Sequence, residues 1–416
     1  MLGLDNVFQL LLKLASGYIK RAFEWVILSM NKSKCLYCQQ EKDSAEYSLE
    51  HIFPDALGGS LFPQVFKTRD VCRHCNSTSG LFIDGPFIKN FFSQNDRSQA
   101  YLNYINFNKP VAMPLKYLGV LEDFTGEDNE VCEVWFGPHG GIVYHVRQKA
   151  DPRYDTMIGG NPIENKKNNG WIAIFAQNSD VYWNEVLLLS CIKYFGKARR
   201  ISGGIQLTPQ AQHNAYFNEP TDKELSILQF FRSISGRQHH CKIQVQIGFE
   251  QRFLAKLALG LGYNLFGNKF LNSEYSQKLR NAMWEKDFNK RLEIVNFSDY
   301  FHDGKNIRDN FLAWEGVHTL VLFPIGSILY LIFYCFGYKL MMIPLCYDHE
   351  IWNTSISSDG IVYVAAPQLE LFSVPLSSVE FISHKTGYHR IAKLEEIEQL
   401  KNDISQLPKI TDYSTT

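Results

Sequence analysis

The chain has 416 residues, which at about 150 residues per domain predicts two or three domains rather than one small module. Hydrophobic residues make up 45% of the chain and charged residues 20%, a balance that excludes wholesale disorder and a collagen-like fibre. Lys and Arg total 42 against 43 Asp and Glu, which gives a net charge of −1. Contact with nucleic acid would therefore need a local basic surface, because the overall charge supplies no attraction.

The segment 1–30 is apolar and raises the question of a signal peptide. Polar residues recur in it at spacings of three and four: Gln9, Lys13, Ser16, Lys20 and Glu24. This spacing forms one polar stripe of an amphipathic helix, whereas a signal peptide places its charge before an unbroken apolar run. Residues 1–30 are predicted to form a helix that packs on the body of the protein, and a membrane anchor or signal is the alternative.

Two pairs of cysteines follow, each with C-x-x-C spacing: Cys35 with Cys38, and Cys72 with Cys75. The chain has nine cysteines, and an odd total without a regular framework does not indicate a secreted disulfide scaffold. Two C-x-x-C turns can surround one tetrahedral Zn²⁺ and let a short, loop-rich segment fold without a large core. The four residues are therefore predicted to be ligands of a structural zinc ion.

Polar residues suited to catalysis lie between and after these cysteine pairs. Glu50 and His51 open the segment Glu-His-Ile-Phe-Pro, and Asn76 directly follows the last cysteine. Carboxylate and carboxamide oxygens suit Mg²⁺ or another hard divalent ion, and a histidine can take a proton from water at neutral pH. Taken alone, Glu50-His51 could be an ordinary surface or core pair, and Asn76 a helix cap. Asp84 follows the last motif and could bind metal, but a turn residue is the preferred interpretation.

Beyond residue 100 the sequence predicts a mixture of helices and strands but contains no motif that indicates a particular chemical activity. Two strand-like runs joined by Gly-Pro-His-Gly-Gly predict a hairpin within 131–147. Helical spacing runs through 248–284, where Lys256 is interpreted as a helix residue that needs no function. The apolar run 319–346 is broken by Pro, Gly and Lys residues, so buried strands are predicted rather than a membrane span. A membrane-linked effector is the alternative for this run. Residues 394–400 predict a short charged helix.

The motifs C-x-x-C, E-H-I-x-P, G-G and C-x-x-C-N, in this order, resemble the HNH endonuclease superfamily with its ββα-metal finger, in the four-cysteine zinc subgroup. The resemblance covers residues 34–84. It implies that Glu50 and Asn76 hold a catalytic divalent ion such as Mg²⁺ and that His51 is the general base. It also implies that the zinc bound by the four cysteines is structural, and that the reaction is hydrolysis of a phosphodiester bond.

Two positions differ from the pattern of the family. The Asn that steadies the catalytic His is absent near Lys67 and Thr68, either of which could substitute, and a Lys after the last ligand is also missing. These differences support the alternative of a non-catalytic zinc module that binds nucleic acid or protein. Arg73 and Lys67 are the candidate contacts to a nucleic-acid backbone.

The predicted fold class is α+β, with an N-terminal helix, a small zinc-stabilised finger and a larger mixed region with a strand-rich end. The predicted divisions are a helix at 1–30, a nuclease-like domain at 31–100, a mixed region at 101–310 and a strand-rich region at 311–416. The predicted partner is nucleic acid, DNA rather than RNA, with a protein partner possible through the C-terminal region. The predicted location is the cytoplasm, without stable membrane insertion, and the resemblance suggests defence or a mobile element as the setting.

Overall fold

The computed structural model describes residues 32–105, 110–127, 129–157, 159–161, 170–176, 180–196, 198–244, 248–301 and 311–402. The predicted N-terminal helix at 1–30 lies outside the described residues. Within them the fold is mixed α+β, as the sequence predicts.

The N-terminal part forms a zinc-finger-like unit of two small hairpins and a helix. Its elements are β1 (Lys32–Lys34), β2 (Glu41–Asp43), β3 (Tyr47–His51), β4 (Lys67–Cys72) and α1 (Arg73–Ser79). Strands β3 and β4 are antiparallel, and their register shifts between Ser48 and Glu50. Such bulges re-aim the side chains that follow them. We call residues 32–84 the finger. Its sequence β3–loop–β4–α1 is the ββα order expected from the resemblance.

The finger runs into a π-helical turn, Gly80–Asp84, and two short helices, α2 (Gly85–Lys89) and α3 (Phe91–Leu102). Helix α3 begins at Asn90, whose side chain accepts a hydrogen bond from the backbone N–H of Ser93. This bond satisfies one of the free donors at the start of the helix.

A six-stranded sheet occupies the middle of the chain. Its strands are β5 (Lys116–Leu121), β6 (Glu130–Phe136), β7 (Ile142–Gln148), β8 (Trp171–Phe175), β9 (Arg199–Gly204) and β10 (Cys241–Lys242), in the order β10-β5-β6-β7-β8-β9. The predicted hairpin is β6–β7. Three helices accompany the sheet, namely α4 (Val181–Tyr194), α5 (Pro209–Ala215) and α6 (Asp222–Ile234). Helix α4 packs on one face of the sheet and α6 on the other, so apolar side chains are buried on both faces.

Three helices link the two sheets. They are α7 (Phe249–Leu271), α8 (Glu274–Trp284) and α9 (Phe288–Ile294). The sequence predicts helix through 248–284, and the structure interrupts it at 272–273. Ser273 accepts a hydrogen bond from the backbone N–H of Ser276 and thereby starts α8.

A second six-stranded sheet forms the strand-rich end. Its strands are β11 (Ser298–Phe301), β12 (His318–Ile325), β13 (Ile328–Cys335), β14 (Lys339–Cys346), β15 (Ile361–Ala366) and β16 (Leu371–Phe372). The accompanying helices are α10 (His349–Trp352), α11 (Ser378–Lys385) and α12 (Ala392–Gln399). Strands β12, β13 and β14 cover the apolar run 319–346, so its prediction as buried strands is confirmed. No helix among the described residues is both long and apolar enough to cross a membrane.

The largest apolar cluster joins the finger to α7, α8 and one face of the C-terminal sheet. The loop between β3 and β4 supplies several of these contacts. The ring of Phe53 lies 5.4 Å from that of Phe333, and the ring of Phe66 lies 4.9 Å from that of Tyr363. The other face of the sheet packs against α11 and α12. Burial on both faces explains why 319–346 is apolar almost throughout. The domain limits drawn from the sequence remain a prediction.

Candidate functional site

The four paired cysteines come together at one end of the finger. Cys35 and Cys38 lie in the turn between β1 and β2, Cys72 ends β4, and Cys75 lies in the first turn of α1. Their Sγ atoms all lie within 4.8 Å of one another. Four sulfurs at this spacing suit a tetrahedral Zn²⁺ with Zn–S distances near about 2.3 Å. The donor set therefore fits the structural zinc that the sequence predicts.

The thiols of this cluster favour different protonation states. The hydrogen bond from the Cys75 thiol lowers the pKa of Cys35 well below its ordinary value. The same bond raises the pKa of Cys75, and burial raises that of Cys38. One thiolate is thus favoured, while further negative charges in the same small space are opposed. A divalent cation removes this conflict, because it compensates the charge of several thiolates at once.

Glu50 lies in β3 with its side chain turned inward, and the residue is only 2% exposed. The hydroxyl of Tyr37, from the turn between the first two zinc ligands, donates to Glu50 Oε1 at 3.0 Å. The ammonium of Lys256, from α7, lies 2.7 Å from the same oxygen. Among the described residues, both contacts of this carboxylate fall on Oε1.

Lys256 also binds Asp84, which ends the π-helical turn after α1. Its Nζ atom lies 2.6 Å from Asp84 Oδ2, and Lys256 is 1% exposed. Burial raises the pKa of Asp84 to about 6, although the neighbouring ammonium acts in the opposite direction. The other oxygen of this carboxylate, Oδ1, is buried and accepts no hydrogen bond from the described residues. Glu50, Asp84 and Lys256 form a buried group of charges, which we call the carboxylate–lysine triad.

His51 follows Glu50 as the last residue of β3 and is half-buried. It pairs with Lys67 across the β3–β4 ladder. Lys67 donates through Nζ to the carbonyl of Ser60 at 2.8 Å, and the hydroxyl of Thr68 donates to Asp70 at 3.3 Å. The side-chain bonds of Lys67 and Thr68 thus run away from the histidine, although the sequence suggested that either could steady it.

Asn76 lies in the first half of α1 and binds back to β3. Its Nδ2 donates to Ser48 Oγ at 3.0 Å and to the carbonyl of Leu49 at 2.9 Å. Because Leu49 directly precedes Glu50, these bonds hold the side chain of Asn76 beside the strand that carries Glu50 and His51. Both bonds use the amide nitrogen, which leaves Oδ1 without a side-chain partner among the described residues.

The two predicted backbone contacts differ in exposure. Arg73, the first residue of α1, is exposed and donates through Nε to the carbonyl of Tyr47 at 3.4 Å. Lys67 is half-buried on β4 and is engaged with Ser60, as described above. Of these two side chains, the guanidinium of Arg73 is freer to contact a phosphate than the ammonium of Lys67.

Sequence reasoning did not anticipate the roles of Tyr37, Asp84 and Lys256. The sequence predicts a helix position without a function for Lys256 and prefers a turn residue for Asp84. One signal for Lys256 exists, since it interrupts the apolar run Phe-Leu-Ala-Lys-Leu-Ala-Leu, and a buried lysine needs a carboxylate partner. Which carboxylate is that partner does not follow from the sequence.

The donors present match a hard divalent ion in chemical type. Among the described residues, the contacts of Glu50 and Asn76 given above use Oε1 and Nδ2, which leaves Glu50 Oε2 and Asn76 Oδ1 as the oxygens that would bind a metal. Two carboxylates and one ammonium give the triad a net charge of −1, which also favours a cation. In donor type, Glu50 and Asn76 are compatible with the ion that the resemblance implies.

Comparison with known proteins gives one result that bears on this geometry. No significant match was found among curated proteins or among solved structures. The family model described as HNH endonuclease matches residues 35–92, which contain the four cysteines together with Glu50, His51 and Asn76. Residues 35–92 are therefore similar to an HNH endonuclease domain, as the sequence motifs indicate.

Proposed function

We propose that this protein is a metal-dependent endonuclease that hydrolyses phosphodiester bonds of nucleic acid, DNA in preference to RNA. The main support is the ββα arrangement itself. Glu50 and His51 end one strand, and Asn76 reaches that strand from the following helix through its bonds to Ser48 and Leu49. The match of this segment to HNH endonucleases supports nuclease function generally.

In this proposal each residue has a separate task. The imidazole of His51 takes a proton from the attacking water, and the partial exposure of this residue is compatible with that task. Glu50 and Asn76 hold a divalent ion, Mg²⁺ in the first instance, which would stabilise charge on the phosphate and on the leaving oxygen. Arg73 contacts the phosphate backbone, while the zinc ion holds the finger together and takes no part in the chemistry.

The setting of this activity is also part of the proposal. We place the protein in the cytoplasm, acting on foreign DNA in defence or within a mobile element, and we assign partner selection to the larger C-terminal region. The defence or mobile-element setting is what the resemblance to HNH endonucleases suggests.

The test is cleavage of supercoiled plasmid DNA and of RNA by the full chain in Mg²⁺. His51→Ala is expected to lower the cleavage rate by about 10²- to 10⁴-fold, because it removes the general base. His74→Ala is the matched control, since His74 is an exposed histidine on the same finger with no assigned role. Equal cleavage by wild type and His51→Ala would contradict the proposal.

A non-catalytic zinc module is the second candidate. It is favoured by the missing Asn and by the bonds of Lys67 and Thr68, which go to Ser60 and Asp70 instead of to His51. A gel-shift measurement on the same nucleic acids separates the two functions. Wild-type protein that binds DNA or RNA but cuts neither, in Mg²⁺ or Mn²⁺, would establish the binding module.

A further inference from the structure

The carboxylate of Glu50 is held by two groups that come from outside the β3–β4 hairpin. Tyr37 belongs to the zinc-binding turn, and Lys256 belongs to α7, about 200 residues further along the chain. Their contacts, at 3.0 and 2.7 Å, both fall on Oε1. The Cγ, Cδ and two oxygen atoms of a glutamate lie in one plane. When Cγ and Cδ are held by the buried side chain and Oε1 is held by its two donors, the direction of Oε2 is fixed as well.

Lys256 is itself held in place. Its Nζ atom lies 2.6 Å from Asp84 Oδ2, and the side chain, which extends from α7, is buried. It therefore has little freedom to move. Tyr37 is 2% exposed and likewise fixed. Glu50 Oε1 thus meets two immobile donors, an arrangement typical of the outer groups that orient metal-binding carboxylates in proteins.

We propose that Tyr37 and Lys256 are positioning residues that hold Glu50 Oε1 and so present Oε2 to the divalent ion of the nuclease site. The inference rests on the proposed function, because it assigns a task to residues around the same site. It adds a structural reason for the C-terminal part of the chain: α7 supplies one of the two groups that orient a metal ligand of the finger.

The opposite role for Lys256 is that its ammonium takes the place of the divalent ion and keeps it out. Two observations favour positioning. The neutral hydroxyl of Tyr37 contacts the same oxygen, Glu50 Oε1, as the ammonium of Lys256. If Lys256 served to exclude a cation, the contact of Tyr37 would have no function. In addition, the carboxylate of Asp84 compensates the positive charge of Lys256. The negative charge of Glu50 is therefore available to a metal ion. The two roles predict opposite changes in metal affinity.

The experiment measures Mn²⁺ binding to the full, zinc-loaded chain by titration calorimetry and by the electron paramagnetic resonance spectrum of the bound ion. Tyr37→Phe and Lys256→Met are the test variants. Both are expected to weaken Mn²⁺ binding by about 10- to 100-fold and to alter the spectrum of the ion that still binds. The zinc content of each variant, measured alongside, should remain that of the wild type.

Each variant has a matched control that removes a comparable contact of α7. Tyr263→Phe removes another tyrosine–carboxylate bond between α7 and the finger, the 2.9 Å bond from Tyr263 to Asp70. Lys339→Met removes another buried lysine–glutamate pair, which joins β14 to Glu250 in the first turn of α7 at 2.6 Å. Neither control touches Glu50, so both are expected to bind Mn²⁺ as wild type does.

The outcomes separate this inference from the proposed function. Tighter Mn²⁺ binding by Lys256→Met would show that the ammonium excludes the ion, and Mn²⁺ binding by Tyr37→Phe equal to that of Tyr263→Phe would refute positioning. If Lys256→Met fails to fold, Tyr37→Phe decides alone, because it removes one hydroxyl and leaves the buried charges unchanged. Wild type that binds Mn²⁺ and cuts DNA while Tyr37→Phe is unaffected refutes only this inference. Wild type that binds no Mn²⁺ and cuts nothing refutes both.

Discussion

Gly260 allows α7 to approach the strand that carries His51. A Cβ atom at this position would lie 2.6 Å from Cγ2 and 2.8 Å from Cγ1 of Ile52, the residue that follows His51. Such distances are well inside van der Waals contact, so any larger side chain must displace Ile52 or the helix. Only glycine fits at this crossing without a shift.

Replacing Gly260 by Ala is expected to destabilise the protein by up to about 2 kcal/mol. Overpacking costs about 1–3 kcal/mol, and the gain in helix propensity returns about 1 kcal/mol of it. Urea unfolding measures the change. Gly80→Ala is the control, because a Cβ at Gly80 meets no atom within 4 Å. Ile52→Ala removes both Cγ1 and Cγ2, so it should relieve part of the cost in the double variant. A cost of Gly260→Ala that is unchanged by Ile52→Ala would contradict the contact.

Residues differ in how well their sequence context reveals their role. The cysteines could be assigned as one zinc site because C-x-x-C spacing brings two sulfurs together within a single turn. Asn76 could be placed near β3 because it follows a zinc ligand at the start of a helix. The partner of Lys256 could not be identified, because the Lys256–Glu50 contact depends on how α7 crosses the finger.

At the scale of elements, α7 forms one wall of the finger. Besides Lys256 and Gly260, it contributes Tyr263, which donates to Asp70 Oδ2, and Asn264, whose Nδ2 donates to the carbonyls of Val65 and Lys67 at 2.8 and 2.9 Å. These four positions share one face of the helix, because Gly260 follows Lys256 by four residues and precedes Tyr263 and Asn264 by three and four. The finger and α7 therefore pack as neighbouring parts of one core.

Removal of zinc is expected to unfold the finger locally and lower the thermal unfolding temperature, because metal binding and folding are coupled in such sites. Circular dichroism with and without a chelator measures both effects, and Cys75→Ser should reproduce them without chelator. Cys241→Ser is the control, since Cys241 lies on β10 outside the cluster. Unchanged spectra and melting after chelation would contradict a structural zinc ion.

Across the whole molecule, His318 links the finger to the C-terminal sheet. It begins β12, is fully buried, and accepts a hydrogen bond from the backbone N–H of Phe336 through Nδ1 at 3.1 Å. Its ring lies 5.5 Å from that of Phe53 in the finger. Burial lowers the pKa of His318 to about 3. The folded protein therefore keeps this imidazole neutral at pH values where the unfolded chain protonates it.

The free energy of unfolding is expected to fall as the pH drops from about 6.5 toward 3, with His318 contributing up to about 1.4 kcal/mol per pH unit. The sign follows because, in that range, the unfolded state binds a proton that the folded state does not. Urea unfolding at several pH values measures the slope. His318→Asn keeps an acceptor for Phe336 but does not titrate, so its slope should be shallower than that of the wild type.

His389→Asn is the control for this prediction, because His389 is exposed on the surface. Loss of zinc at low pH affects wild type, His318→Asn and His389→Asn alike. The prediction therefore concerns the difference between their slopes of unfolding free energy against pH. Equal slopes for wild type and His318→Asn would contradict the prediction.

The architecture as a whole could be predicted only in part. Periodicity and turn residues identified the β6–β7 hairpin, the helical region 248–284 and the strands within 319–346, because each depends on neighbouring residues. Periodicity cannot show that the loop 52–66 packs its phenylalanines on the C-terminal sheet, since that requires contacts across more than 250 residues, such as Phe53 with Phe333. The predicted helix at 1–30 lies outside the described residues and stays a prediction.

The wall that α7 contributes to the finger has a consequence for biosynthesis. Its bonds to Asp70, Val65 and Lys67 span 193 to 199 residues. A ribosome that adds about 5–20 residues per second needs roughly 10–40 s to cover that stretch. During this interval the nascent finger has its cysteines but lacks Lys256. The finger therefore leaves the ribosome early and gains its contacts with α7 late.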